Sequence, residues 1–125
     1  MKQLKVLYVD DDLINRKLLE HMLAKNPAIY ETLAANDGQE ALEVLNKNRD
    51  IDFVLLDIIM PKLNGIEVLK HMRKDPRFSQ IPVIVLSTDD TQKRAALEAG
   101  ANDFINKPIK KDDLMDKIKK YAEAL

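Results

Sequence analysis

Apolar residues follow two different spacings along the chain. Short continuous runs predict five buried strands, at Leu4–Val9, Ile29–Ala34, Phe53–Leu56, Val83–Leu86 and Phe104–Ile105. Three of these runs (VLYV, FVLL and VIVL) show no polar alternation, which is typical of parallel strands buried on both faces. The second run is interrupted by Glu31 and Thr32, so we expect it at an edge of the sheet.

The segments between these runs have the spacing of amphipathic helices. Their predicted apolar stripes consist of Ile14, Leu18 and Met22 with Leu19 and Leu23 beside them, and of Leu114, Ile118, Tyr121 and Leu125. Asp37 and Asn64 each precede a glutamate by three residues, as in a capping box at a helix N-terminus. All five prolines fall between the predicted elements.

This alternation of strands and helices predicts an α/β fold. Right-handed crossovers between successive strands give a parallel sheet with helices on both faces. Five strands favour the flavodoxin-like, doubly wound (βα)5 arrangement with strand order 2-1-3-4-5. In that order strands 1 and 3 are neighbours, and ligands bind in the crevice outside their carboxyl ends.

Composition restricts the classes of function. A chain of 125 residues is long enough for one domain, so we expect residues 1–125 to form it without a separate effector. The absence of cysteine excludes a disulfide framework, a thiolate metal site and a cysteine nucleophile. The 20 basic and 21 acidic residues argue against a nucleic-acid partner. The sequence has neither a signal peptide nor an apolar stretch of spanning length, so we expect a cytoplasmic protein without a membrane partner.

Polar residues gather where the predicted strands end. They are Asp10, Asp11 and Asp12 after the first strand, Asp57 after the third, Ser87 and Thr88 after the fourth, and Asn106, Lys107 and Pro108 after the fifth. Clustered carboxylates repel one another, and a hard cation such as Mg²⁺ with oxygen ligands relieves that repulsion. A lysine and a hydroxyl opposite the carboxylates complete a phosphoryl clamp, in which Asp57 is the best candidate nucleophile.

Several of these residues also have a simpler structural interpretation. Asp12 is favoured as the N-cap of the first helix, and Lys107 taken alone is favoured as a surface lysine. Asp57 resists such an interpretation, because a carboxylate inside an apolar run has a desolvation cost unless it is paired. The remaining candidates are assigned structural roles, namely Met22, Met60 and Met72 as core residues and His21 and His71 as histidines without a second ligand nearby. The site hypothesis therefore depends on the conjunction of several positions.

Four segments, in this order, resemble the receiver domain of two-component response regulators. VLYVDDD resembles the first-strand acidic motif of that family, and FVLLDIIMPKLNGIEVL resembles its phosphoacceptor segment. IPVIVLST and AGANDFINKP resemble its hydroxyl and lysine motifs. The resemblance covers the whole chain, in the manner of a stand-alone chemotaxis response protein.

The resemblance implies a set of roles at the strand ends. Asp57 would accept a phosphoryl group from a histidine kinase or a histidine phosphotransfer protein. Mg²⁺, or Mn²⁺ in its place, would be held by Asp10, Asp11, Asp57 and the backbone carbonyl of Ile59. Lys107 would pair with the phosphoryl oxygens, and the Lys107–Pro108 bond is expected to be cis.

The resemblance also implies how the signal leaves the site. Ser87 would bind the phosphoryl group and move toward it, and Phe104 would follow inward as an aromatic switch. These movements would change the face formed by the fourth helix, the fifth strand and the fifth helix, where a target protein would bind. The chain would then not be an enzyme beyond its own phosphotransfer and autodephosphorylation. A monomer is expected, with a phosphorylation-dependent dimer left open.

Some positions depart from the family pattern, and other functions compete. Phe104 replaces a frequent Tyr, Thr88 replaces a smaller residue, and Ile59 and Asp89 flank the expected water path to the acyl phosphate. A phosphorelay intermediate and a receiver excised from a larger regulator are variants of the same hypothesis. A haloacid-dehalogenase-type phosphatase would use Asp10 and Asp12 instead. A flavodoxin-like nucleotide or flavin binder is disfavoured, since three aspartates occupy the loop that would bind phosphate.

Overall fold

A computed structural model describes residues 3–60, 62–88 and 90–124; Met1, Lys2, Pro61, Asp89 and Leu125 lie outside the described residues. Strands and helices alternate along the chain. The strands are β1 (Leu4–Val9), β2 (Ile29–Ala35), β3 (Phe53–Asp57), β4 (Val83–Ser87) and β5 (Asp103–Asn106). The helices are α1 (Leu13–Ala24), α2 (Gly38–Lys47), α3 (Gly65–Lys74), α4 (Lys93–Glu98) and α5 (Lys111–Ala122), with a short 3-10 turn at Asp90–Gln92 before α4.

The five strands form one parallel sheet in the order β2-β1-β3-β4-β5, as predicted. The interrupted second run is the edge strand, and its exposed positions include Tyr30 and Glu31. Strands β2, β3, β4 and β5 each end one residue later than predicted, and β5 also begins one residue earlier. In β3 and β4 the added residue is polar, because Asp57 pairs in register with Leu86 and Ser87 with Asn106. The polar residues that end β3 and β4 are therefore held by the sheet itself.

The core consists of one apolar layer on each face of the sheet. Side chains alternate along the strands, so Val54 and Leu56 face one layer while Phe53 and Leu55 face the other. The first layer is covered by α2, α3 and α4, and the second by α1 and α5. No helix among the described residues is long and apolar enough to cross a membrane.

The apolar stripe predicted for α1 is wrong in part. Leu19 and Leu23 are fully buried, but Ile14 is 77% exposed and Leu18 is 44% exposed. The spacing Ile14, Leu18 and Met22 is helical, yet successive residues are rotated by about 100°, so two adjacent stripes fit the same pattern. The helix buries the Leu19 and Leu23 side, and its start presents apolar side chains to solvent.

Side-chain caps fix the starts of the helices that border the site. The carboxylate of Asp12 accepts the backbone N–H of Ile14 at 2.8 Å, which confirms Asp12 as the N-cap of α1. Asn64 and Glu67 form a complete capping box at α3. Asp37 caps α2 through Glu40 N–H, but the Glu40 carboxylate accepts the N–H of Asn36, so the predicted box at α2 is only half formed.

Candidate functional site

Three carboxylates meet outside the carboxyl ends of β1 and β3. One oxygen from each of Asp10, Asp11 and Asp57 lies within 4.8 Å of the others. Asp10 is fully buried and Asp57 is 5% exposed, whereas Asp11 faces solvent. The sheet order predicted this meeting, because β1 and β3 are adjacent. Carboxylates this close need a compensating cation.

Lys107 supplies the first compensating charge. Its ammonium group donates to Asp10 Oδ2 at 2.9 Å and lies 3.2 Å from Asp57 Oδ1. Burial lowers the pKa of Lys107, but the hydrogen bond to Asp10 and the charges of Asp57 and Asp10 outweigh it and raise the pKa above its usual value. Lys107 is therefore a member of the site rather than the surface lysine it would be in isolation.

Asp57 titrates under opposing influences. Burial raises its pKa to about 6, although the positive charge of Lys107 acts to lower it, and the charges of Asp10 and Asp11 raise it further. The carboxylate is therefore mostly ionised at neutral pH, although burial disfavours its charged form. A cation bound beside this buried carboxylate would therefore stabilise its ionised form.

Backbone hydrogen bonds hold the strand ends that carry these side chains. The N–H of Lys107 donates to the carbonyl of Ser87 at 2.9 Å, and the N–H of Ile58 donates to the carbonyl of Leu86 at 3.2 Å. The Lys107–Pro108 peptide bond is cis, as the resemblance implied. Ser87 is buried at the end of β4, and Thr88 beside it is exposed.

The loop after Asp57 needs a glycine at its end. The N–H of Gly65 donates to the carbonyl of Ile58 at 2.8 Å, which folds the loop back onto β3. A Cβ on Gly65 would lie 2.2 Å from the carbonyl oxygen of Asp57. Ile59, within this loop, is 62% exposed.

Two further residues border the site or its output face: Phe104, which the resemblance singled out, and Arg16, which it did not. Phe104 is buried, 7% exposed, in the layer that contains Ala96 of α4. Arg16 also borders the site, since its guanidinium donates to the backbone carbonyl of Asp10 at 2.7 Å. A backbone acceptor six residues away leaves no sequence motif, so Arg16 had no signal by which it could be found.

Comparisons with known proteins agree with this arrangement. The sequence model of the family described as "Response regulator receiver domain" matches residues 6–119 of this chain. The CpxR homolog of Haemophilus influenzae, a transcriptional regulatory protein, is 43% identical over 92% of this chain and 48% of its own length. Chemotaxis protein CheY-3 of Vibrio cholerae is 34% identical over 99% of this chain and 95% of its own.

One solved structure of similar fold is described with a bound magnesium ion. It is the receiver domain of the sensor histidine kinase PA1611 from Pseudomonas aeruginosa, described with a magnesium ion coordinated in its active site cleft. Its TM-score to this chain is 0.85 at 26% identity, with 94% of this chain and 96% of that chain covered.

Proposed function

The chain belongs to the response regulator receiver domain family, and we propose that it is a phosphorylation-dependent signalling switch with Asp57 as phosphoacceptor. The observation that carries the proposal is the position of the Asp57 carboxylate. It is buried at the end of a central strand, 3.2 Å from the Lys107 ammonium and grouped with two further carboxylates. We extend the proposal to residues 1–125 as a single receiver domain, whose only catalysis is its own phosphotransfer and autodephosphorylation.

The proposed reaction moves one phosphoryl group between two side chains. A carboxylate oxygen of Asp57 attacks the phosphorus of a phosphohistidine on a kinase or phosphotransfer protein. An O–P bond forms, the N–P bond breaks, and its electron pair returns to the imidazole nitrogen. A pKa of about 6 keeps Asp57 mostly ionised at neutral pH, and therefore ready to attack.

The carboxylate cluster fits a divalent cation. Mg²⁺ prefers hard oxygen ligands and keeps several waters, which suits one exposed and two buried carboxylates whose oxygens lie within 4.8 Å. We propose Asp10, Asp11, Asp57 and the backbone carbonyl of Ile59 as ligands, with Mn²⁺ as a substitute. When bound, the ion would neutralise charge on the carboxylates and on the oxygens of the transferred group.

Lys107 and Ser87 position the phosphoryl group in this proposal. The Lys107 ammonium already reaches the Asp57 carboxylate, so it can pair with an oxygen of the group that Asp57 acquires. Ser87 ends the neighbouring strand, and its hydroxyl is assigned a second oxygen. Because Lys107 N–H donates to the carbonyl of Ser87, a movement of either residue would displace the backbone of the other.

The response is assigned to the face formed by α4, β5 and α5. The proposal places the movement in Phe104 and in α4, which is six residues long, buries only Ala96 and shares an apolar layer with Phe104. A new dianion at Asp57 would bias this helix between two positions, and a target protein would read the difference. Passing the phosphoryl group onward in a relay remains a variant of the same chemistry.

A protein donor has an apolar surface beside the site on which to dock. Leu13, Ile14 and Leu18 are 57%, 77% and 44% exposed on α1, which begins two residues after Asp11. Apolar side chains grouped in this way are typical of a protein interface. The competing phosphatase hypothesis gains no such support, because the Asp12 carboxylate that it requires for chemistry caps α1.

The test is phosphorylation by a small donor in the presence of Mg²⁺. We expect intact mass to show one added phosphoryl group after incubation with acetyl phosphate, and beryllofluoride to shift amide resonances in α4 and β5. Asp57→Asn should abolish both effects, whereas the matched control Asp12→Asn should change the extent of labelling by less than about threefold. Unchanged labelling of Asp57→Asn would overturn the proposal.

A further inference from the structure

A cavity of about 350 Å³ lies between α5 and the loop that joins α1 to β2. Its apolar lining comes from Met115, Ile118 and Ala122 of α5 and from Pro27 and Ala28 of the loop. Ile118 and Ala122 are buried and belong to the core layer beneath the cavity. The volume falls at the lower end of the range found for small-molecule sites. None of the described residues that line the cavity belongs to the carboxylate cluster or to its phosphoryl clamp.

A side-chain amide is held in a fixed orientation in the lining of this cavity. Oδ1 of Asn26 accepts the backbone N–H of Ala28 at 2.9 Å, which leaves the NH2 group as the part of the amide that faces α5. That NH2 group donates to the thioether sulfur of Met115 at 3.2 Å. A thioether is a weak acceptor, and the amide has two N–H donors. An oxygen atom of a bound ligand would therefore be a better acceptor for Asn26 than the sulfur.

The charged residues that line the cavity are mostly positive. They are Lys25, Lys111 and Lys119, all of them exposed. Within the described part of the chain, none of these three lysines forms an ion pair. Asp116 is the single carboxylate among the described lining residues, so three positive charges accompany one negative charge. An excess of positive charge around an apolar lining favours a ligand that combines an anionic group with an apolar body.

We propose that this cavity is a binding site for a small amphiphilic anion of the class of medium-chain carboxylates. The apolar body of the ligand would lie against Met115, Ile118 and Ala122, and an anionic oxygen would accept the N–H of Asn26 among the lysines. Burial of the apolar body supplies most of the affinity, and the charged group supplies orientation and the preference for anions. A cavity of this volume holds a small molecule rather than a helix or strand of another protein.

The test is a titration of the full chain with octanoate, followed by the chemical shifts of the backbone amides. We expect the shifts to saturate and to be largest at residues that line the cavity, in particular Ala28, Met115 and Lys119. The concentration dependence of these shifts gives the dissociation constant, which is then compared between variants. Because octanoate carries both the apolar chain and the charge, the variants can change one contribution at a time.

Three substitutions change the charge or the donor that the anion would meet. Asn26→Asp keeps the oxygen that accepts the N–H of Ala28 but replaces the NH2 donor by a negative charge, so the dissociation constant for octanoate should rise about tenfold. Lys119→Gln should raise it about threefold, since the charge that it removes is exposed. Asp116→Asn removes the negative charge from the lining and should lower the dissociation constant about twofold.

Two matched controls separate recognition of the anion from general effects. Lys120 is exposed next to Lys119 but does not line the cavity, so Lys120→Gln should change the dissociation constant by less than about twofold. Octanol has the same chain length without the charge, so Asn26→Asp and Lys119→Gln should leave its dissociation constant within about twofold of the original. If Asn26→Asp does not fold, the exposed Lys119 still carries the comparison.

The proposal is overturned if octanoate gives no saturable shifts, or if the largest shifts lie away from the cavity. Equal dissociation constants for octanoate in the unsubstituted protein, Asn26→Asp and Lys119→Gln would also overturn it, because the lining would then not recognise the anion. The titration uses no phosphoryl donor, so its failure leaves the proposed function intact. In the same way, a failure to label Asp57 leaves this site intact.

Discussion

Asp57→Asn is expected to make the metal-free protein more stable at neutral pH. The substitution keeps the shape of the side chain and removes a charge that is buried between two other carboxylates. Lys107 keeps its 2.9 Å contact with Asp10, so the variant does not leave the ammonium group unpaired. The variant that abolishes the proposed chemistry is thus expected to be the more stable protein.

The pKa of Asp57 sets the magnitude. It rises from 3.8 to about 6 on folding, and two pH units correspond to about 3 kcal/mol in the free energy of unfolding. Since the folded protein holds this proton more tightly than the unfolded chain, the favourable contribution is complete below about pH 3.8. It is lost as the pH rises through about 6, so the ionised group destabilises the fold at neutral pH.

Urea denaturation with a chelator present measures the effect. The stability difference between Asp57→Asn and the unsubstituted protein should increase by about 1 kcal/mol between about pH 5 and about pH 7.5, because part of the loss has already occurred at the lower pH. Added Mg²⁺ should reduce this difference in the free energy of unfolding at the higher pH. The unsubstituted protein binds Mg²⁺ more tightly than Asp57→Asn does, and is therefore stabilised more. Asp12→Asn serves as the control, because Asp12 is exposed and asparagine also caps a helix.

Either of two results would refute this reasoning. If the stability difference is the same at both pH values, the burial of Asp57 does not act through its charge. A less stable Asp57→Asn at about pH 7.5 would show that the attraction of Lys107 outweighs desolvation, contrary to the order of causes inferred for the pKa.

Four further substitutions test separate parts of the argument. Lys107→Met should lower the free energy of unfolding by about 3 kcal/mol at neutral pH in metal-free urea denaturation, with partial recovery in Mg²⁺, because it leaves two buried carboxylates without a cation. Asn64→Ala should cost about 1 kcal/mol in the same assay by removing a capping box, and no loss would show that α3 is held by packing alone. Gly65→Ala should slow labelling by acetyl phosphate as well as destabilise the fold, since its Cβ would displace the carbonyl of Asp57; normal labelling would contradict this. Ile14→Asp should change stability by less than about 0.5 kcal/mol and leave labelling by acetyl phosphate intact, yet slow transfer from a phosphorylated kinase about tenfold; equal rates from the kinase would remove α1 as the docking surface.

The fold could be predicted from the sequence because three of its strands are apolar without alternation. Runs such as Val83–Leu86 predict buried parallel strands, and parallel strands constrain the connections between them. The predicted sheet order, which the structure confirms, makes β1 and β3 neighbours and so places Asp10 beside Asp57. The residues at the strand ends therefore carried most of the information about the candidate site.

Other features depend on tertiary contacts that leave no local pattern. The rotation of α1, which buries Leu19 and exposes Ile14, is decided by packing against the sheet rather than by periodicity. The contact of Arg16 with the backbone carbonyl of Asp10 depends on a distance that no motif encodes. The guanidinium of Arg73 donates to the backbone carbonyls of Gly100 and Ile81. Every residue has a backbone carbonyl, so the sequence does not indicate which ones accept these hydrogen bonds.

The contact between Lys107 and Asp10 joins positions 97 residues apart. During synthesis from the N-terminus, the aspartates emerge before Lys107, their compensating cation. An incomplete chain that folded β1 against β3 would hold its carboxylates together without the lysine, at an energetic disadvantage. A product truncated before Lys107 is therefore less stable, and it lacks the ammonium group that would receive the phosphoryl oxygens.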